Sequence, residues 1–453
     1  MPKSVAELRE AVRQVLPSVR ADLEALVRIP SVSALPEHAA DVQRSAEATA
    51  ELFRAEGFQV QVHSVDGGAP AVIAHKPAPE GAPTVLLYAH HDVQPVGDPA
   101  IWESEPFEPT ERGVRLYGRG AADDKAGIAA HLAAVRAHGD DLPVGLTVFV
   151  EGEEEIGSPT LIPFLQAHQE DLRADVIVIA DSANWDIGVP ALTTSLRGLV
   201  DATVELRTLE HAVHSGMWGG VVPDALVAFS RLVATFHDED GAVAVEGLVR
   251  RPAADVEYPE ERLRAESGIA DGVSLVGSGS VVSRLWTQPA LSVIGLDMTP
   301  TASASNTLIA AVTAKLSLRI APGQDPAAAL DALRTHVERH TPWGAQVTFT
   351  PGGLGPATAI DATGPAYDAA RAAFREAWDG TEPIDMGVGG SIPFISYFQE
   401  AFPEAAVLVT GVEDPDTRAH SANEGLHLGE FERVCLAEAL LLAELARISA
   451  ELA

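Results

Sequence analysis

Apolar positions in the first part of the chain repeat at helical spacing. Val5, Leu8, Val12, Leu16, Leu23 and Leu26 mark 4–28 as a helix with one buried face, and the alanine-rich 38–56 reads the same way. Three short strands are expected next, Phe58–Ser64, Ala71–His75 and Val85–Ala89. A helix over 124–138, the strand Gly145–Glu151, a helix near 159–168 and the run Asp175–Ala180 follow. Unbroken Val/Ile/Leu strands separated by helices suit a largely parallel sheet, because helices covering both faces leave neither side of a strand in water. The expected class is α/β: a mostly parallel sheet with helices on both faces.

Near Thr193 the pattern changes to strict alternation, as in Leu199–Leu206, followed by a glycine-rich turn at Gly216–Gly220 and a helix over 222–237. Residues 238–290 are rich in Pro, Gly and Glu and weakly patterned, so loop with short helices is expected. The strand Ala311–Ile320, a helix over 326–340 and the strand Ala345–Thr350 complete an α+β unit with a half-open sheet. Helices resume at 365–377 and 428–448 around the short strand Ala406–Thr410. The expected organisation is a discontinuous first domain, 1–192 with 362–453, interrupted by an inserted α+β domain, 193–361.

Composition narrows the function classes. At 453 residues and 46% hydrophobic, the chain is long enough for more than one domain and apolar enough for large cores. A formal charge of −34 argues against nucleic acid or an anionic membrane surface as partner, and its field concentrates cations, although a solubilising surface explains it more simply. A single cysteine, Cys435, excludes an internal disulfide and a cysteine-rich zinc site. With no apolar h-region in 1–20 and no run of 18 apolar residues, a soluble cytoplasmic protein is expected.

The candidate chemistry sits at strand ends. Tyr117-Gly-Arg-Gly-Ala-Ala-Asp123-Asp124-Lys125 reads as a strand end, a glycine turn and the start of a helix. Two adjacent carboxylates there suit the positive end of the helix dipole, and a plain N-cap by Asp123 is the alternative reading. His90-His91-Asp92, Glu153-Glu154-Glu155 and Asp181 each follow an apolar run, where ligands bind in parallel sheets, and His420 lies in a polar loop. Histidines and carboxylates gathered in this way are the donor set for zinc, manganese or cobalt, which points to a two-metal hydrolase.

Five separated motifs, in order, carry a resemblance: His90-x-Asp92, the Gly118–Lys125 run, Glu154-Glu-Ile-Gly-Ser158, Asp181 and Ala419-His-Ser-Ala-Asn-Glu424. Together they resemble the M20 metallopeptidases, a group that includes carnosinase-like dipeptidases, carboxypeptidase G, desuccinylases and deacetylases. The resemblance runs from about residue 20 to the C-terminus. It implies a catalytic domain with an inserted lid that also dimerises, which matches the inserted segment 193–361, and hydrolysis of dipeptides or short peptides. The same chemistry on N-acyl amino acids is the nearer alternative, and a non-catalytic metal-loaded binding protein the more distant one.

Position by position, the resemblance implies two divalent cations, zinc first and manganese or cobalt after it. His90 and Asp181 would hold one, Glu155 and His420 the other, and Asp123 would bridge both, followed by a cis peptide to Asp124. Asp92 would accept the second imidazole N–H of His90. Glu154 would be the general base. Consecutive glutamates face opposite ways on a strand, so composition does not choose among 153–155; the following Ile156-Gly157-Ser158 sets the register within the resemblance and leaves Glu151 and Glu153 as solvated or structural. From the lid, His214 would stabilise the oxyanion in the partner subunit's site, with His211 read as a surface residue. Arg319 would grip the substrate carboxylate, and Asn306, Thr307, Gly390 and Ser391 would contact substrate. Carnosinase-like members often carry Arg-Glu before Gly-Gly-Ser; Gly387-Val388 stands here, which bears on close specificity rather than on hydrolysis.

Overall fold

The computed structural model describes residues 3–390 and 393–448. It divides into two compact units. The first comprises Met1–Thr194, Asp361–Met386 and Tyr397–Ala453, the second Ser195–Ile360 and Gly387–Ser396.

In the first unit the sheet order is Gln59–His63, Ala71–Lys76, Gly145–Glu151, Thr84–His90, Val176–Ile179, Ala406–Val409 and Ala191–Leu196. The four strands from Gly145–Glu151 to Ala406–Val409 run parallel. Their neighbours on either side pair antiparallel. Burial follows this arrangement: every residue of Gly145–Glu151 and Val176–Ile179 is buried, whereas the outermost strand Gln59–His63 is half exposed. Central strands covered by helices are apolar on both faces, as their sequences require.

Composition also explains the helix nearest the site. Lys125–His138 packs against the helices Val5–Val27 and Leu428–Arg447 and against the strand Thr84–His90, and every residue but Arg136 is buried. Six alanines let three neighbours approach closely, while Gly127 leaves room for the Asp124 carboxylate, and a helix buried on nearly all sides is stable only when so enclosed. Val5–Val27 starts at a capping box, in which Ser4 and Glu7 satisfy each other's backbone N–H groups. A small antiparallel sheet, Gly425–His427, Arg115–Tyr117 and Thr110–Arg112, pairs Gly425 with Tyr117. It thereby sets the loop before Gly425 beside the loop after Tyr117. No helix among the described residues is long and apolar enough to cross a membrane.

The second unit is built on a four-stranded antiparallel sheet ordered Ala290–Asp297, Ala311–Ile320, Gly198–Arg207 and Gln346–Gly355. Burial alternates along Gly198–Arg207 and Ala311–Ile320. The buried set, including Val200, Val204, Leu316 and Leu318, packs with Phe229, Leu232, Leu333 and Val337 of the helices Ala225–Val233 and Pro326–His340. The stretch 238–290 contains the short helices Glu260–Ser267 and Val281–Trp286. Ala290–Asp297 is a strand the hydropathy pattern does not announce: it lies at the sheet edge, mostly exposed, and a register shift between Val293 and Gly295 breaks its alternation. The glycine-rich turn expected at Gly216–Gly220 begins as one helical turn, Ser215–Trp218.

Candidate metal centre

Three parallel strands deliver acidic and imidazole groups to one end of the first unit's sheet. His90 is the last residue of Thr84–His90, in register with Glu151; Glu154 and Glu155 sit in the single turn Glu154–Ile156 just beyond Gly145–Glu151, and Asp181 lies two residues past Val176–Ile179. Asp123 comes from the loop that enters the helix Lys125–His138, and the Asp123–Asp124 peptide is cis. His420, at positive φ, comes from the loop before Gly425–His427.

These side chains meet. Asp123 Oδ1 lies 3.1 Å from His90 Nε2, and Asp123 Oδ2 lies 3.1 Å from His420 Nε2. Asp181 Oδ2 and Glu154 Oε2 stand 4.0 and 3.9 Å from His90 Nε2, while Glu155 Oε2 stands 3.3 Å from His420 Nε2. Two groups of donor atoms result, His90–Asp123–Asp181 and Asp123–Glu155–His420, with the donor atoms of each within 4.8 Å of one another. Asp123 belongs to both and offers each a different oxygen.

The electrostatics show what this cluster lacks. Burial pushes the Asp181 carboxyl up to about 7 against the pull of His90, and the neighbouring Asp123 and Glu155 charges add to the rise. Burial and the Asp181 charge likewise hold Glu154 well above the usual carboxylate range. Burial opposes ionisation of Asp123 too, but its bonds to His420 and His90 keep it below that range. Hydrogen bonds to Asp123 and Glu155 lift His420 to about 11. Four carboxylates drawn around two imidazoles form a site short of positive charge, and its oxygen and nitrogen donors fit divalent cations of the zinc, manganese and cobalt type.

Supporting bonds fix the donors. The nearest partner of His90 Nδ1 is the main-chain carbonyl of Asp92 at 3.0 Å, with the Asp92 carboxylate at 3.4 Å. That carboxylate also accepts the N–H groups of Glu154 (3.2 Å) and Glu155 (3.1 Å), so Asp92 holds the glutamate turn as well as flanking the ring. Gln94 donates its N–H and its side-chain amide to Glu155 at 2.9 and 2.7 Å. Asp124 Oδ2 accepts the His90 N–H at 3.2 Å. Glu151 and Glu153 are both buried: Tyr88 Oη donates to Glu151 at 2.8 Å, and Glu153 accepts from Ala69 N and Thr160 N. Both are structural rather than solvated.

In the second unit, His214 and Thr307 are paired on a two-stranded ladder, and Ser215 N donates to Asn306 O at 2.9 Å. His214 is exposed, and its Nδ1 accepts from Gly216 N. Arg319 lies on Ala311–Ile320, opposite Leu199 and Ala290, and Gly390 is half-buried. Ser391 lies outside the described residues. Sequence reasoning gave no role to Asp124, Gln94, Arg119 or Glu424. Of these Asp124, Arg119 and Glu424 carried a signal, as charged members of quoted motifs, and Gln94 carried none.

Comparison with known proteins bears on the family of the chain as a whole. The model of peptidase family M20/M25/M40 matches residues 86–444. A cysteinylglycine-S-conjugate dipeptidase of Corynebacterium striatum is 35% identical over 429 residues, covering 93% of this chain and 94% of the relative. A Beta-Ala-His dipeptidase of Rattus norvegicus is 28% identical over 433 residues, covering 88% and 86%. Among solved structures, human carnosine dipeptidase 1 superimposes with a TM-score of 0.79 at 24% identity, covering 99% of this chain and all of that one (100%). An M20 metallo-carboxypeptidase of Sulfolobus solfataricus gives the same TM-score, 0.79, at 23% identity, covering 95% and 99%. The donor geometry and the match across most of the sequence lead to one assignment: the chain belongs to peptidase family M20/M25/M40.

Proposed function

We propose that this protein is a metal-dependent dipeptidase using two divalent cations, zinc by preference. The observation that carries the reading is the double orientation of Asp123, one oxygen toward His90 and the other toward His420. In this reading His90 and Asp181 would hold the first cation, Glu155 and His420 the second, and Asp123 would serve both. What the cations supply when bound is Lewis acidity, which polarises the scissile carbonyl and makes water acidic enough to lose a proton near neutral pH.

The chain's own groups do the rest. Glu154 stands beside His90, its side chain 18% exposed, and is tied through its backbone N–H to Asp92. Its carboxylate takes a proton from the attacking water as the carbon–oxygen bond forms. It then returns that proton to the amine nitrogen as the peptide C–N bond breaks, releasing two amino acids. Asp92 keeps this carboxylate and Glu155 at fixed positions by accepting both amide N–H groups.

The reading extends to the second unit. His214 and Thr307, paired on one ladder, and Asn306 beside them would meet substrate in a partner subunit's site, with His214 facing the developing oxyanion, and Arg319, Gly390 and Ser391 would serve the carboxylate end. The edge strand Ala290–Asp297, with Val293, Ile294 and Leu296 exposed, supports a homodimer formed through this unit.

The relatives' names, both dipeptidases, favour free dipeptides over N-acyl amino acids. A panel of dipeptides against N-acetyl and N-succinyl amino acids, run with and without a chelator, tests the proposal. Chelator-sensitive cleavage of dipeptides is the expected result. Turnover confined to N-acyl substrates, or indifferent to chelation, would overturn it.

A further inference from the structure

The loop carrying His420 and the loop carrying Asp123 are joined by one carboxylate. Glu424 is fully buried, at 0% exposure, and both its carboxylate and its main-chain carbonyl accept hydrogen bonds from residues 118–123. Its Oε1 accepts the N–H groups of Ala122 (3.0 Å) and Asp123 (3.1 Å). Its Oε2 accepts the N–H of Gly120 (3.1 Å) and the guanidinium of Arg119 (2.6 Å). Its main-chain carbonyl accepts the N–H of Gly118 at 3.0 Å. Arg119, 1% exposed, completes the link by donating from Nη2 to Ser421 O at 3.3 Å, next to His420.

We propose that Glu424 is a positioning residue that sets Asp123 against His420 and thereby builds the second metal subsite, Asp123–Glu155–His420. The inference rests on the two-cation reading and adds a residue to which that reading gives no role. An ionised carboxylate is the group required, because it offers acceptor sites on both oxygens and no donor. Four N–H groups converge on those two oxygens. A glutamine of the same shape would turn a donating NH2 toward N–H groups that already donate, so one side of the clamp would open without a change in volume.

The clamp also predicts an asymmetry. The first subsite depends on Glu424 through Asp123 alone, since His90 and Asp181 sit at the ends of parallel strands. The second depends on it through Asp123 and through the loop that carries His420, whose ring is 60% exposed and has no strand beneath it. General loosening of the fold would weaken both subsites alike. Loss of positioning weakens the second much further.

The test is titration of metal-free Glu424→Gln with Co2+ alone, followed by calorimetry and visible absorption beside the unsubstituted protein. The expected result is two equivalents in each. In the variant, one equivalent keeps an affinity near that of the original and the other is weakened about 10- to 100-fold, as is usual when a ligand's supporting partner is removed. Excess Co2+ should then restore much of the lost kcat at little-changed KM. Both equivalents at unchanged affinity, or both weakened to the same degree, would overturn the proposal. If the glutamine variant does not accumulate as folded protein, Glu424→Asp keeps the charge and shortens the reach; the same unequal loss supports the proposal and an equal loss refutes it. Fewer than two equivalents in the unsubstituted protein would overturn the two-cation reading itself, a separate outcome.

Discussion

His420 reaches Asp123 from outside: their 3.1 Å contact joins a ring that is 60% exposed to a carboxylate that is 7% exposed. On the other side of the same carboxylate, His90 is entirely buried. The two halves of the centre therefore differ in access to solvent. Stepwise chelation should remove one equivalent of metal before the other. His420→Ala should bind one equivalent with little loss of melting temperature, whereas His90→Ala should lower both metal content and stability. Metal analysis after graded dialysis, paired with thermal melts, checks both outcomes.

Glu154 is close to His90 but belongs to neither donor group. Glu154→Gln should keep both equivalents of metal and lose about 10²–10⁴-fold in kcat, the usual contribution of a general base. Turnover close to that of the unsubstituted protein would remove Glu154 from the role.

Asp92 holds two backbone N–H groups of the glutamate turn besides flanking the His90 ring. Asp92→Asn leaves one of those N–H groups facing an amide donor, so Glu154 and Glu155 should both lose alignment. A drop of about 10- to 100-fold in metal affinity or kcat is expected. Equilibrium dialysis against Mn2+, alongside steady-state kinetics, separates the two effects.

A buried pair behind the site ties two helices together. His131 Nδ1 lies 2.8 Å from Glu438, and its Nε2 lies 3.0 Å from the carbonyl of Tyr88. Burial alone would lower the His131 ring, but the Glu438 charge and its hydrogen bond raise it above the ordinary value of 6.5. The sign follows from linkage. With its folded value raised, the pair's stabilisation is fully present below about pH 6.5 and is lost as pH rises through the higher folded value. Glu438→Gln should remove that slope, and Glu438→Ala should cost about 3–5 kcal/mol by leaving a buried partner alone. Urea melts of the metal-free protein between pH 6 and 9 read both effects.

Much of the centre was legible because its donors stand where periodic strands end. His90, Glu154, Glu155 and Asp181 each follow an apolar run, and the central sheet strands were marked by the same runs. The supporting contacts were not legible. That Asp124 accepts the His90 N–H depends on the turn into Lys125–His138, and that Glu424 grips three backbone N–H groups depends on the pairing of Gly425 with Tyr117. Both are tertiary relationships between distant segments. The edge strand Ala290–Asp297 was hidden for another reason: exposed on most of its length and interrupted by a bulge, it carries no alternation for a pattern to detect.

In the proposed centre one carboxylate, that of Asp123, serves two cations. Anomalous diffraction from crystals grown with Zn2+, collected at the zinc edge, tests it most directly. Two peaks about 3.5–4 Å apart are expected, each beside a different oxygen of Asp123, one next to His90 and the other next to His420. A single peak, or two peaks of which one has no contact with Asp123, would contradict it.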